Sequence, residues 1–226
     1  MTEQKIYPVL YSLRNCPYAM RARIAIFYAQ QPVILRDVVL TNKPAAMLLA
    51  SPKGTVPILV LADKQIIDES LEVMLWALKA SDANDFLQKN DDDSLTEMLK
   101  LIALFDTEFK ACLEAYKCAK RYHENTLTDC RQACEVYIND LEQRLSQHDY
   151  FMSSKASLAD IALLPFIRQF ARVERQWYLQ SPYPKLRQWL NRYLQSPMFT
   201  QVMAKRPLWT VHDKTVYFAE INQGRK

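Results

Sequence analysis

The sequence predicts an α/β N-terminal domain with the element order βαβαββα, followed by an all-α C-terminal domain. Three observations lead there. Short apolar, β-branched runs alternate with helical spacing in the first part of the chain. A polar, acidic stretch at 81–93 then interrupts the pattern, as a linker does. Beyond it no strand-like run returns, and apolar residues recur at helical intervals.

Taken in order, Ile6 to Ser12 and Val33 to Leu40 read as strands. Between them Pro17 to Tyr28 places Met20, Ile24, Phe27 and Tyr28 at helical spacing, which completes a β-α-β unit. A short helix is expected around Pro44 to Leu49. Val56 to Leu61 and Gln65 to Ile67, joined only by Ala62-Asp63-Lys64, are close enough to form an antiparallel hairpin. Helical spacing resumes from Ser70 to Lys79. The expectation is a mixed four-stranded sheet within residues 1–80, a linker over 81–93 and a helical domain over 94–226. In that domain Ser94 to about Tyr122 carries Leu95, Met98, Leu99, Ile102 and Phe105 on one stripe, and Leu127 to Gln147 forms a second long helix. Shorter helices are expected at Leu158 to Val173, Tyr183 to Gln195 and Pro197 to Lys205.

A chain of 226 residues suffices for two ordinary domains. Its 29 Lys and Arg against 25 Asp and Glu leave a net charge of +4, too small to make nucleic acid or an anionic membrane the main partner. Acidic residues dominate 81–149 and basic ones 150–226. That dipole can orient an anionic ligand or a second subunit, or reflect solvated helix faces. The apolar runs Val56 to Ala62 and Ile161 to Ile167 fall far short of the roughly 20 residues that cross a bilayer. With no secretory core at the N-terminus, a cytoplasmic location is the expectation. The five cysteines fit a reducing compartment. Cys112, Cys118, Cys130 and Cys134 read as packed thiols, and Cys130 with Cys134 lack the histidines of a zinc site, so no metal is expected.

The chemistry gathers around Cys16. It stands where the first strand hands over to the first helix, and Pro17, favoured at the first helical position, makes it the N-cap. The free backbone N–H groups and the positive helix end there favour thiolate over thiol, with Arg14, Arg21 and Arg23 adding positive charge. The result is a candidate nucleophile. Position 19 is Ala19, so Cys16 has no resolving cysteine in a Cys-x-x-Cys arrangement, and a disulfide on it would involve another molecule. In Thr55-Val56-Pro57-Ile58 a proline opens an otherwise central strand. That suggests a special turn, a cis bond among the options, with the main chain of Val56 left to pair with an extended peptide-like ligand. At Asp68-Glu69-Ser70 the serine hydroxyl and helix amides can hold a carboxylate while Glu69 holds an ammonium group. Each feature taken alone also has a structural reading: a buried core thiol, an edge strand with a trans proline, and plain N-capping.

Together the three features resemble the cysteine-type members of the glutathione S-transferase superfamily, the omega class and the related GST-like glutaredoxins, over nearly the whole chain. The resemblance implies a bacterial source and the GST fold, a thioredoxin-like domain followed by the helical one. It also implies glutathione as co-substrate. It makes Cys16 the catalytic residue, Val56-Pro57 the cis-proline element that meets glutathione, Glu69 and Ser70 the binders of its γ-glutamyl end, and Lys43 the contact for its glycyl carboxylate. Ser157-Leu158-Ala159-Asp160 is similar to the family's helix-capping motif, a structural element. The chain departs from the family in having only Gly54 and Gly224 as glycines, in Gln30-Gln31 after the first helix, and in Pro8 within the first strand.

What the resemblance implies about activity is a thiol transferase or dehydroascorbate reductase type of chemistry through a mixed disulfide at Cys16, acting on a small electrophilic or disulfide substrate. The substrate pocket would lie between the halves, with Tyr116, Arg168, Arg172, Trp177 and Trp209 as candidates, and a homodimer is the family habit. Two alternatives remain open at this point: a conventional glutathione-conjugating transferase, and a non-catalytic binding protein resembling the stringent starvation proteins.

Overall fold

The computed structural model describes residues 6–89, 92–212 and 214–219. The chain forms two units, Met1–Ala83 with Pro197–Lys226, and Asn84–Ser196.

The first unit is an α/β layer. Its elements are β1 (Val9–Ser12), α1 (Pro17–Tyr28), β2 (Val33–Asp37), α2 (Ala45–Ala50), β3 (Ile58–Val60), β4 (Ile66–Ile67) and α3 (Ser70–Ala80). β1 lies in the middle of the sheet, parallel to β2 and antiparallel to β3, and β3 pairs antiparallel with β4. Leu10 and Tyr11 on β1 are buried accordingly. α1 buries eight of its twelve residues, Ala19 through Ile26, and so has no polar face. A helix buried all round needs cover on more than one side. α3 supplies one side, and a helix late in the chain, Pro197–Val202, supplies another.

That return of the chain corrects the expected organisation. The sheet has five strands among the described residues, because Tyr217–Phe218 pairs antiparallel with β2 in the order β4-β3-β1-β2-β5. Two residues are too few to show an alternating pattern, and unlike β4, which lies one turn from its partner β3, this strand pairs with β2 across most of the chain, so nothing local in the sequence marks it. The expected helical domain over 94–226 therefore ends at Ser196 as a compact unit, and the C-terminal segment completes the sheet domain. The expected linker over 81–93 also changes character. Phe86 and Leu87 are buried, and the Phe86 carbonyl accepts from the Leu158 amide at 2.8 Å, so residues 84–89 pack as part of the second unit. Asn90 and Asp91 of that stretch lie outside the described residues.

In the second unit α4 (Asp92–Leu104), a π-helical turn (Phe105–Phe109) and α5 (Lys110–Tyr122) form one long rod. The π turn brings the rings of Phe105 and Phe109 within 4.7 Å of each other, both against Tyr137. α6 (Leu127–Gln147), α7 (Leu158–Val173), α8 (Arg175–Gln180) and α9 (Pro184–Leu194) follow, with α10 (Pro197–Val202) and β5 (Tyr217–Phe218) returning to the first unit. α8 is absent from the sequence expectation: six residues carry no periodic signature of their own, and unlike α2 and α10 no proline stands at its start to mark it. α7 is the central helix of its unit, packed by α4, α5, α8 and α9. Its start is fixed by the expected capping box. The buried Asp160 carboxylate accepts from the Ser157 amide at 2.9 Å and the Ser157 hydroxyl at 2.7 Å, and additionally from the Phe151 amide and the Trp189 indole. Among the described residues no helix is long and apolar enough to cross a membrane.

Candidate active site

The loop Leu13-Arg14-Asn15 ends β1, and Cys16 takes the N-cap of α1 with extended backbone angles (φ −71°, ψ 125°). Its amide donates to the Leu13 carbonyl at 3.1 Å. Its side chain makes no capping bond to the helix, so the sulfur is directed elsewhere. It lies half-buried, 3.8 Å from the Val56 carbonyl oxygen, to which the thiol donates. The Val56–Pro57 bond is cis. Pairing of β3 with β1 begins at Ile58, so Val56 stands outside the ladder and presents its main chain beside the sulfur. Cys16 and Val56 belong to one apolar cluster with Tyr11, Ala19, Val38, Met47 and Ile58, and Trp209 of the C-terminal segment packs on the same cluster.

Two buried arginines hold this end of the sheet. Arg23 donates from Nε to the Val202 carbonyl (3.1 Å), from Nη1 to the Ser12 hydroxyl and the Leu13 carbonyl, and from Nη2 to the Arg14 carbonyl (2.7 Å). It thereby ties the loop before Cys16 to α10. Burial pushes its pKa down to about 10, with Asp37 opposing the shift, so Arg23 stays cationic at neutral pH. Asp37 at the end of β2 is displaced the other way, above the ordinary carboxylate value by burial, with Arg23, Arg206 and Arg14 pulling it back. Arg21 donates from Nε to the Ser70 hydroxyl oxygen at 2.9 Å, joining α1 to the start of α3.

At that start Glu69 is the N-cap of α3 and Ser70 its first residue, only 3% exposed. Because Ser70 Oγ accepts from Arg21, its own proton remains to be given to an acceptor. The Glu69 carboxylate makes no capping bond to its helix and meets Lys53 Nζ at 2.8 Å. Lys53 also reaches Asp68 at 3.0 Å, and Asp68 accepts from the Ser51 hydroxyl at 2.7 Å. The hydrogen bonds to Glu69 and then Asp68 raise the Lys53 pKa above the ordinary lysine value. The Ser51 hydroxyl, followed by Lys53, holds Asp68 below the ordinary carboxylate value. Lys43 stands in the loop before α2 with its amine over Gly54, where a methyl group would come within 2.9 Å of Nζ. Gly54 also has φ +60°, a conformation that disfavours other residues.

The sequence-predicted residues thus fall into three places within the first unit. Cys16, Val56 and Pro57 meet at the end of β1; Glu69 and Ser70 cap α3; Lys43 lies against Gly54, two residues before Val56. Sequence reasoning missed Lys53 altogether and took Arg21 and Arg23 only as nearby charge, whereas they brace Ser70 and the Cys16 loop. The one signal for Lys53 is its place in the Ser51-Pro52-Lys53-Gly54 turn that leads into Thr55-Val56-Pro57. Of the candidates for a substrate pocket, Tyr116 is buried and donates to Glu174 at 2.9 Å, so it serves the core of the second unit. Trp177 in the same unit lies under Arg131, 4.4 Å from its ring centre. Trp209 belongs to the first unit, stacked on Arg36 at 4.1 Å with its amide donating to the Asp37 carbonyl. Arg168 is half-buried and Arg172 exposed. Among the described residues no group of three His, Cys, Asp or Glu can hold a metal ion.

Residues 10–85 match the family model described as Glutathione S-transferase, N-terminal domain, and residues 124–192 match Glutathione S-transferase, C-terminal domain. Similar curated proteins include the pyrimidodiazepine synthase of Drosophila melanogaster, 27% identical over 83% of this chain and 77% of that protein. Glutathione S-transferase omega-1 of Sus scrofa is 23% identical, also over 83% of this chain and 77% of its own length. Among solved structures, a glutathione transferase family member from Pseudomonas fluorescens with two glutathione bound superposes with a TM-score of 0.74 at 16% identity, covering 87% of this chain and 92% of that one. Glutathione S-transferase I bound with lactoylglutathione gives 0.73 at 16% identity, over 88% and 99%.

Proposed function

Because the chain belongs to the glutathione S-transferase family, whose co-substrate is glutathione, we propose that it is a cysteine-type member, a glutathione-dependent thiol transferase working through a mixed disulfide at Cys16. The observation that carries this reading is the placement of the sulfur: at the N-cap of α1, making no bond to its own helix, 3.8 Å from the carbonyl of Val56. A helix N-terminus favours negative charge, and the thiolate is the form that attacks. Glutathione lies extended along the main chain of Val56 beside Pro57. Its γ-glutamyl carboxylate takes the Ser70 hydroxyl proton and the first amides of α3, its ammonium meets Glu69, and its glycyl carboxylate meets Lys43.

In the first step the Cys16 thiolate attacks the glutathione sulfur of a glutathionylated substrate. The new Cys16–glutathione disulfide forms as the old disulfide breaks, and the substrate leaves as a thiolate that takes up a proton. In the second step a glutathione thiolate attacks the mixed disulfide, restoring the Cys16 thiolate and releasing oxidised glutathione. The net exchange converts one glutathionylated substrate and one free glutathione into the substrate thiol and one oxidised glutathione, so the free glutathione is the reductant consumed. Ala19 in place of a second cysteine leaves this external thiol as the resolving group. A cytoplasmic location and a homodimer are parts of the same proposal.

Disulfide-reductase and aryl-halide conjugation rates, compared in wild type and Cys16→Ser, test it. The proposal expects reduction to fall to background in the variant while conjugation persists or rises. Equal reduction in both proteins overturns it, and a wild type that only conjugates assigns the chain to the conjugating chemistry instead.

A further inference from the structure

Lys53 is a charged residue beside Glu69 that the assigned ligand contacts do not use. It stands in the turn before Val56, on a half-exposed side chain, and bridges two carboxylates at once: Glu69 Oε1 at 2.8 Å and Asp68 Oδ1 at 3.0 Å. The two ends of the bridge are unequal. Asp68 is fixed from its other oxygen by the Ser51 hydroxyl and is 25% exposed, whereas the Glu69 side chain is 63% exposed with no capping bond to its helix. A cation approaching Glu69 from solvent meets an ammonium already seated there, and Lys53 can release Glu69 while keeping Asp68.

We propose that Lys53 is an internal competitor for the ammonium group of the γ-glutamyl end, and thereby a specificity-determining residue of the site. This rests on the proposed binding of glutathione at Glu69 and Ser70. Binding exchanges one ammonium for another on Glu69, so the attraction available to the ligand's ammonium is the difference between two ion pairs. With Lys53 in place the site rewards the ammonium weakly and admits γ-glutamyl ligands whose amine is blocked or missing. Removing the lysine frees Glu69 and sharpens selection for the amine.

The experiment measures dissociation constants by calorimetry, under reducing conditions, for glutathione and for the analogue with hydrogen in place of the γ-glutamyl ammonium. It compares wild type, Lys53→Met and Lys53→Arg. The inference expects the ratio of analogue to glutathione constants to rise about threefold in Lys53→Met, the scale of an exposed ion pair, and to stay near wild type in Lys53→Arg. A merely structural lysine would change both constants together and leave the ratio unmoved. An unchanged or smaller ratio, with wild type still binding glutathione, overturns the inference alone. A wild type that binds neither compound removes the glutathione reading and the inference with it.

Discussion

Ser70 shows how much a single residue is asked to do. Its oxygen accepts from the buried Arg21 Nε at 2.9 Å, which fixes the hydroxyl between α1 and α3 and leaves its proton for a ligand. Ser70→Ala therefore has two separable consequences. It strands a buried guanidinium N–H, which costs about 1–3 kcal/mol of folding stability. On the proposed binding mode it should also remove one charge-assisted bond to the γ-glutamyl carboxylate and weaken glutathione about tenfold. Urea titration reads the first and calorimetry the second, and a variant with wild-type affinity would exclude Ser70 from the site. At this scale the sequence is informative wherever a residue acts on its own backbone. Pro17 after Cys16 marks a helix start, and Pro57 after Val56 marks the interrupted strand. Lys53, Arg21 and Arg23 are opaque in the sequence, because what they do depends on partners far along the chain. Charged residues inside a helix read as surface groups until the fold covers them.

At the scale of elements, the capping box was legible because its two bonding residues, Ser157 and Asp160, stand three positions apart in the chain. The two further donors to Asp160, from Phe151 and Trp189, were not. The junction of α7 and α8 carries a half-buried arrangement that the sequence hides. Glu174 accepts from the Tyr116 hydroxyl at 2.9 Å and from Arg131 at 2.8 Å, and Arg131 continues to Glu135. Burial works against ionisation of Glu174, but the Tyr116 and Arg131 bonds outweigh it and hold the carboxyl below its ordinary value. A carboxylate depressed in the folded state contributes stability that is complete above the unfolded pKa of about 4.3 and is lost as pH falls through the lower folded value. Tyr116→Phe should thus cost about 1.5–3 kcal/mol near neutral pH, the range for a bond to a charged group. That difference from wild type should shrink below about pH 4. Urea midpoints across a pH series check this, and a difference that grows in acid would contradict the assignment. The tyrosine that the sequence offered as a substrate contact is accounted for by this core role.

For the whole molecule, the chain's return is the feature that sequence reasoning could not reach. α10 covers the second side of α1, its Val202 carbonyl anchors Arg23, and β5 closes the edge of β2 with the Val216 carbonyl accepting from the Leu35 amide at 2.8 Å. A sheet edge so covered is protected from pairing with other chains. A chain ended after Lys205 keeps α10 but loses Trp209 and β5. Its Leu35 amide should then exchange hydrogen at a rate typical of an exposed edge, while amides of β1 in the middle of the sheet remain protected. Retained protection at Leu35 would show that the C-terminal strand is dispensable to the domain. The two-part architecture was readable from apolar periodicity, since long amphipathic helices and alternating strands announce themselves within local windows. A two-residue strand paired across most of the chain leaves no such trace.

Intact-mass and peptide analysis after exposure to oxidised glutathione tests most directly whether Cys16 is the sulfur that exchanges with glutathione. The predicted result is one glutathionyl group on the peptide containing Cys16, removed by reduced glutathione and missing in Cys16→Ser. Glutathione attached only to Cys112, Cys118 or Cys130, with Cys16 unmodified, would contradict it.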